Sequence, residues 1–233
     1  MGAVAMATQL DLQEQEQLDE LKAFWKQYGN LITWTLILVL GAYGGWNLWN
    51  RYQADQAGKA SAMFDELQSA VQAADADKAG RVFTDLKSRY PRTAFAERAG
   101  LLAAKTQYDK GQLDAAKGTL AWVAENASED EYKAMARLRL AGVLLDQKQY
   151  DEALKQLDAV KAKEFEALVA DRRGDLLLAQ GKKEEAKAAY QAAWKAMDPS
   201  LDYRRVILDA KLTALGAAPE ASAAASAAAS GAK

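Results

Sequence analysis

Between Gln27 and Asn50 lie 24 consecutive residues without an Asp, Glu, Lys or Arg, in a chain that elsewhere is densely charged. At ~1.5 Å per residue, a helix of that length spans a hydrocarbon layer of about 30 Å with some to spare. Its centre, from Leu31 to Leu40, is apolar enough to insert, and aromatic rings bracket it. Trp25 and Tyr28 come before the run, and Trp46, Trp49 and Tyr52 after it, the positions favoured by amphipathic rings at the two membrane interfaces. Four of the six tryptophans fall between positions 25 and 49.

A cleaved signal peptide needs a basic leader, a shorter apolar run and a small-residue cleavage site. Here the leader carries Asp11, Glu14, Glu16, Asp19 and Glu20 against Lys22 and Lys26, and the run ends in bulky Trp-Asn-Arg-Tyr. An uncleaved anchor fits these residues better than a signal peptide or a buried core helix. Gly41 and Gly45 form a GxxxG step in the span, with Gly44 beside it, where another helix could approach closely and pack. Charge leaves the orientation open, since Lys22 and Lys26 on one side are matched by Arg51 and Lys59 on the other. Uninterrupted helix formers from Asp19 through Lys26 predict that the span continues as helix ahead of Gly29.

The 183 residues beyond position 50 suffice for one helical domain or a short repeat array. They hold 28 basic and 27 acidic residues, so no net field draws nucleic acid. The chain has neither His nor Cys, which excludes the usual zinc sites, thiolate nucleophiles and imidazole bases. No Gly-rich phosphate loop is present. No cofactor and no small-molecule substrate are expected. A lipid-anchored protein would need a modifiable cysteine, and a tail-anchored one would carry its span at the other end.

Internal repetition is the second constraint. Gly111-Gln112-Leu113-Asp114-Ala115-Ala116-Lys117-Gly118-Thr119-Leu120, Lys148-Gln149-Tyr150-Asp151-Glu152-Ala153-Leu154-Lys155-Gln156-Leu157 and Gly181-Lys182-Lys183-Glu184-Glu185-Ala186-Lys187-Ala188-Ala189-Tyr190 align, with Ala116, Ala153 and Ala186 spaced 37 and 33 residues apart. A turn, an acid, a small residue and a large apolar one at a period near 34 is the tetratricopeptide pattern of stacked helix hairpins. The small residue lets paired helices cross closely, and the large one fills the space between hairpins. Ala104, Ala141 and Gly174, each 12 residues upstream, supply the small partner on the first helix. Leu144 and Leu177 fill a large position where the first unit departs with Gln107.

Upstream, Lys59–Val71 and Arg81–Arg89 read as two amphipathic helices of a degenerate repeat, the second stopped by Tyr90-Pro91. Pro199 closes the last unit, and Tyr203–Leu215 reads as a capping helix ended by Gly216. The Ala/Ser-rich end has no large apolar residue to bury and is expected to be disordered. The expected fold class is all-α: a single N-terminal transmembrane helix followed by a tetratricopeptide-repeat-like α-solenoid. Its divisions are an N-terminal segment at 1–29, the span at 30–50, connecting helices at 51–95, repeats and cap at 96–216, and the tail at 217–233.

Glu20-Leu21-Lys22-Ala23-Phe24-Trp25-Lys26-Gln27-Tyr28-Gly29 running into the span, Gly45-Trp46-Asn47-Leu48-Trp49 closing it, and degenerate repeats behind it together resemble the YfgM family, the ancillary subunit of the bacterial SecYEG translocon. The likeness extends over roughly residues 14 to 213 and includes Ala167–Asp175, similar to the family's second-to-last helix. It rests on the order of parts, since no single motif is diagnostic. The resemblance implies a single-pass protein of the bacterial inner membrane, with a cytoplasmic N-terminus and periplasmic repeats. It implies as partners the SecYEG translocon, a membrane-anchored chaperone of the PpiD type and translocating polypeptides. The implied role is organisational and not catalytic.

Stacked hairpins present a concave face lined by the first helix of each unit. By register, partner-binding candidates are Arg98, Leu101, Lys105 and Tyr108, then Leu138, Leu145 and Asp146, then Asp171, Asp175 and Leu178. Leu101, Leu138, Leu145 and Leu178 serve equally well as packing residues. A clamp for chain-terminal carboxylates uses a Lys/Asn/Arg constellation that Lys105 and Arg98 alone do not reproduce. Two further readings stay open. A repeat scaffold on the cytoplasmic side would bind a soluble partner, and topology separates it from the first reading. An anchored carboxylate hydrolase would need two acids converging across a cleft at roughly 5–10 Å, and no spacing here points to such a pair.

Overall fold

The computed structural model describes residues 3–198, 200 and 202–217, and every described element is helical. The molecule divides into two compact units, residues 1–55 and 56–233. Pro199 and the Ala/Ser segment 218–233 lie outside the described residues.

The described residues of the first unit are helix throughout. The unit is formed by most of α1 (Ala3–Gln72), which runs through 19–26 and the apolar span without a break. This helix is long and apolar enough to cross a membrane, and none of its apolar window is buried by protein. Leu38, Leu40 and Tyr43 along the span are each more than 60% exposed, as lipid-facing residues must be. The two hydroxyls at its centre are hidden by the helix itself: Thr33 Oγ1 donates to the Gly29 carbonyl at 2.7 Å and Thr35 Oγ1 to that of Leu31 at 2.8 Å. Such i−4 bonds remove the cost of taking a hydroxyl donor out of water. Gly29 has a local reason, since a Cβ there would stand 3.1 Å from the indole ring of Trp25.

The second unit starts with the last turns of α1 and continues through α2 (Ala76–Arg89), α3 (Ala94–Asp109), α4 (Leu113–Asn126), α5 (Asp130–Asp146) and α6 (Tyr150–Asp158). A single 3₁₀ turn at Lys163–Phe165 leads to α7 (Glu166–Ala179), α8 (Lys183–Ala196) and α9 (Asp202–Ala214). Neighbours in the chain pack as antiparallel hairpins. The helix expected at Arg81–Arg89 begins earlier, at Ala76, because Asp75 caps it by accepting the Lys78 N–H at 2.9 Å. Thr93 caps α3 in the same way, just after Pro91.

The repeat register is written into the hairpin turns. Ala74, Gly111, Lys148 and Gly181 all adopt positive φ, between 51° and 78°. After each, the next residue donates its N–H to a carbonyl five residues back: Asp75 to Ala70, Gln112 to Gln107, Gln149 to Leu144 and Lys182 to Leu177, all at 2.8–2.9 Å. This is the Schellman closure of a helix end, which requires a left-handed residue. Ala74 and Gly111 are 37 residues apart, so the α1–α2 turn belongs to the same register as the three aligned units. Gly216 ends α9 with the same bond, Ala217 N to Leu212 O.

Three apolar clusters run along this unit. Leu67 and Ala70 of α1 meet Val82, Phe83 and Leu86 of α2 and Ala96, Ala99 and Ala103 of α3. Leu120, Val123, Leu140, Leu144 and Leu157 centre the second cluster, and Ala186, Tyr190, Ala193, Leu208 and Leu212 centre the third. A fully buried Leu or Phe contributes about 1.5–3 kcal/mol. The small positions named above, Ala104, Ala141, Gly174, Ala116, Ala153 and Ala186, are all buried. Gln107, the departure from Leu, is buried as well, and its Oε1 accepts from Thr119 Oγ1 at 2.9 Å. The corresponding positions in the next unit are Leu144 and Gln156, so a polar pair has replaced one large apolar side chain without leaving that oxygen unpaired.

Candidate partner-binding groove

Helices α3, α5 and α7 are the first helices of the three aligned hairpins. Between them lies a pocket of about 390 Å³ whose floor is apolar, formed by Ala104, Leu120, Val143 and Leu145. Its rim is charged: Lys105, Arg139 and Arg172 are set against Asp109 and Asp146, with Tyr108 between them. The volume falls within the range of side-chain-sized binding sites.

Of the residues singled out by register, Lys105, Tyr108, Leu145 and Asp146 come together here. Tyr108 donates its hydroxyl to Asp146 Oδ2 at 2.6 Å, tying α3 to α5, and this hydrogen bond with a carboxylate raises the phenol pKa above its ordinary value. Lys105 pairs along its own helix with Asp109. Leu145 is half-buried and packs against the core while lining the pocket.

The other candidates stand elsewhere. Arg98 remains exposed and donates through Nε to the Tyr132 hydroxyl at 2.8 Å, a contact that raises its pKa further. Leu101 is 6% exposed and belongs to the second cluster, so its side chain serves the core. Leu138 is half-buried against the same cluster. In the last unit Asp171 and Asp175 face the molecule's own α9: Lys211 Nζ lies 2.7 Å from an oxygen of each. Asp175 Oδ1 also accepts from the Tyr190 hydroxyl at 2.8 Å. Burial first, and then this bond, push the tyrosine pKa far up. These two acids are therefore held within the fold, and of the last unit's three candidates only Leu178 is open, at 39% exposed. Gly41 and Gly45 face open space, with nothing within 4 Å of a Cβ built on either.

Among the groove residues that escaped the reading by register are Arg139, Gly142 and Arg172. The same register could have found them, because Gly142 occupies the position of Lys105 and Asp175, and Arg139 and Arg172 are equivalents in successive units. Gly142 keeps the groove open at mid-helix; a Cβ there would meet nothing nearer than the Arg172 guanidinium at 3.9 Å.

This architecture agrees with comparisons to known proteins. A tetratricopeptide repeat-like domain model matches residues 22–217. A protein of Neisseria gonorrhoeae named ancillary SecYEG translocon subunit is 35% identical over 205 residues, 88% of this chain and 98% of that one. Proteins of the same name from Escherichia coli and Haemophilus influenzae are 34% and 32% identical, each over 78% of this chain and 88% and 89% of their own length. The apolar span lies inside the region matched by the repeat-like model, so span and repeats are shared as one arrangement. The chain belongs to the YfgM family of tetratricopeptide repeat-like proteins, that of the ancillary SecYEG translocon subunits.

Proposed function

We propose that this protein is a scaffold anchored in the bacterial inner membrane by α1, that it associates with the SecYEG translocon, and that its repeats lie in the periplasm. There it works beside a membrane-anchored chaperone of the PpiD type, helping newly translocated polypeptides pass to periplasmic chaperones. The observation that carries this reading is the match with relatives named as translocon subunits, over 98% of one and 88% of another, together with a repeat-like domain match that takes in the span. The role is one of organisation: the groove offers an apolar surface and paired charges on which a polypeptide can rest.

The physical logic is confinement. An anchor that keeps the repeats near the translocon exit raises their effective concentration for an emerging chain into the range typical of short tethers, so individual contacts need not be tight. In the bilayer, the open faces of Gly41 and Gly45 are where a partner helix approaches most closely.

Co-purification tests the reading. Tagged full-length protein solubilised from membranes in mild detergent is expected to recover SecY together with the PpiD-type chaperone, and Gly41→Ile with Gly45→Ile to lower that recovery. Absence of SecY from the parent preparation would overturn the translocon assignment, and unchanged recovery by the double variant would discard the glycine face.

A further inference from the structure

Among the described residues, Arg139 is the one rim cation of the groove without an acid of its own. Lys105 has Asp109, and Arg172 has Asp175 Oδ2 at 3.5 Å. Among the described residues Arg139 makes a single hydrogen bond, from its guanidinium to the Leu101 carbonyl at 3.2 Å. The side chain as a whole is exposed, but its guanidinium end is drawn against the Leu101 carbonyl, and this partial burial lowers its pKa. A guanidinium without a carboxylate, above an apolar floor and beside a gap left open by Gly142, is electrostatically unfinished.

We infer that the α3–α5–α7 groove takes an extended polypeptide segment by one internal aspartate or glutamate side chain, whose carboxylate meets Arg139 while a neighbouring aliphatic side chain rests on Ala104, Leu120 and Val143. Charge decides for a single acid: Asp109 and Asp146 on the same rim repel a second negative group. The pocket holds side chains and not a folded domain. This inference rests on the proposed function in one respect: a chain emerging from a translocon offers internal segments first and its terminal carboxylate last. The site therefore differs from a clamp for chain ends, and it selects segments where an acid interrupts an apolar stretch.

The test uses the full chain in nanodiscs of phosphatidylethanolamine and phosphatidylglycerol. Anisotropy is followed with rhodamine-labelled decapeptides that are acetylated, amidated and built of Gly and Ser around a central Leu-Glu-Leu. The expected result is binding about tenfold tighter than for the Leu-Gln-Leu counterpart, the ratio given by one partly desolvated charge pair. Arg139→Gln is expected to bring the two peptides to equal affinity. Gly142→Leu, which adds a good helix former where a Cβ meets only the flexible Arg172 guanidinium at 3.9 Å, should keep the melting temperature and abolish binding of both. Equal binding of the two peptides by the parent, or a ratio that survives Arg139→Gln, would overturn the inference. So would a Leu-Gln-Leu peptide with a free terminal carboxyl group that binds as tightly as the amidated Glu peptide. SecY recovery by the same preparations reports on the proposed function separately: SecY retained without peptide discrimination sinks the inference alone, whereas SecY lost sinks the function.

Discussion

The middle and last hairpins share a register but carry different residues at equivalent positions, and the two units use those positions in opposite ways. In the last unit, Asp171 and Asp175 are neutralised from within by Lys211 of α9, and Tyr190 adds its hydroxyl to the same cluster. In the middle unit, the matching positions are Leu138, half-buried against the core, and Gly142, which has no side chain, and among the described residues Arg139 has no acid. The packing beneath differs to match. Leu120 and Leu157 occupy the large position opposite Ala104 and Ala141, whereas the larger Tyr190 fills it in the last unit and requires glycine at 174. One end of the array is thus closed by its own polar network, while the groove before it stays open to a partner. A shared register fixes where a side chain sits, and the next element in the chain decides whether it is available.

The largest expected effect breaks the closed unit. A Cβ at Gly174 would reach Tyr190 Cζ at 2.9 Å and other ring atoms closer still, and Tyr190 is only 1% exposed. Gly174→Ala should therefore cost about 3 kcal/mol in urea unfolding of the full chain in micelles. Gly174→Ala with Tyr190→Leu, which recreates the middle unit's pairing, should recover part of that loss. Lys211→Met comes next. It leaves Asp171 without its cation and Asp175 with only Arg172 at 3.5 Å, each acid about a quarter exposed, at about 2 kcal/mol. Hydrogen exchange should show α9 loosened while α3–α6 keep their protection.

A smaller effect depends on pH. The folded-state pKa of Tyr190 is raised above its ordinary 10.0, so the neutral phenol is the stabilising form. Its contribution is complete below pH 10 and is lost as pH rises beyond that, at up to about 1.4 kcal/mol per unit. The stability difference between parent and Tyr190→Phe should be constant from pH 7 to 9 and shrink by about 1 kcal/mol toward pH 11. Smallest is Lys148→Gly in the middle unit's turn, where a non-glycine residue holds φ at 59°. A gain of about 0.5–1 kcal/mol in the same unfolding assay is expected.

Much of this was legible in the residues. The uncharged run and its aromatic borders announce the span, and helix formers carry it through 19–26 as observed. The hairpins follow from Ala116, Ala153 and Ala186 and from the turn residues ahead of them. The earliest turn was harder to see because Ala74, not glycine, takes the left-handed conformation there, and Asp75 moves the start of α2 forward. The groove was legible in part, through Lys105, Tyr108, Leu145 and Asp146. Asp171 and Asp175 could not be read correctly, since their partner sits 40 and 36 residues away on a helix outside the repeat. Arg139 and Gly142 lie within reach of the register, at the positions of Arg172 and of Lys105 and Asp175, but only a comparison of units points to them, since an absent acid and an absent side chain give no signal in a single unit.

The central claim is that the repeats stand in the periplasm, and topology tests it most directly. Alkaline phosphatase and green fluorescent protein are each fused after Gly216 and scored in intact bacterial cells. Phosphatase activity without fluorescence is the expected result. Fluorescence without phosphatase activity would place the repeats in the cytoplasm and contradict any role at the translocon exit.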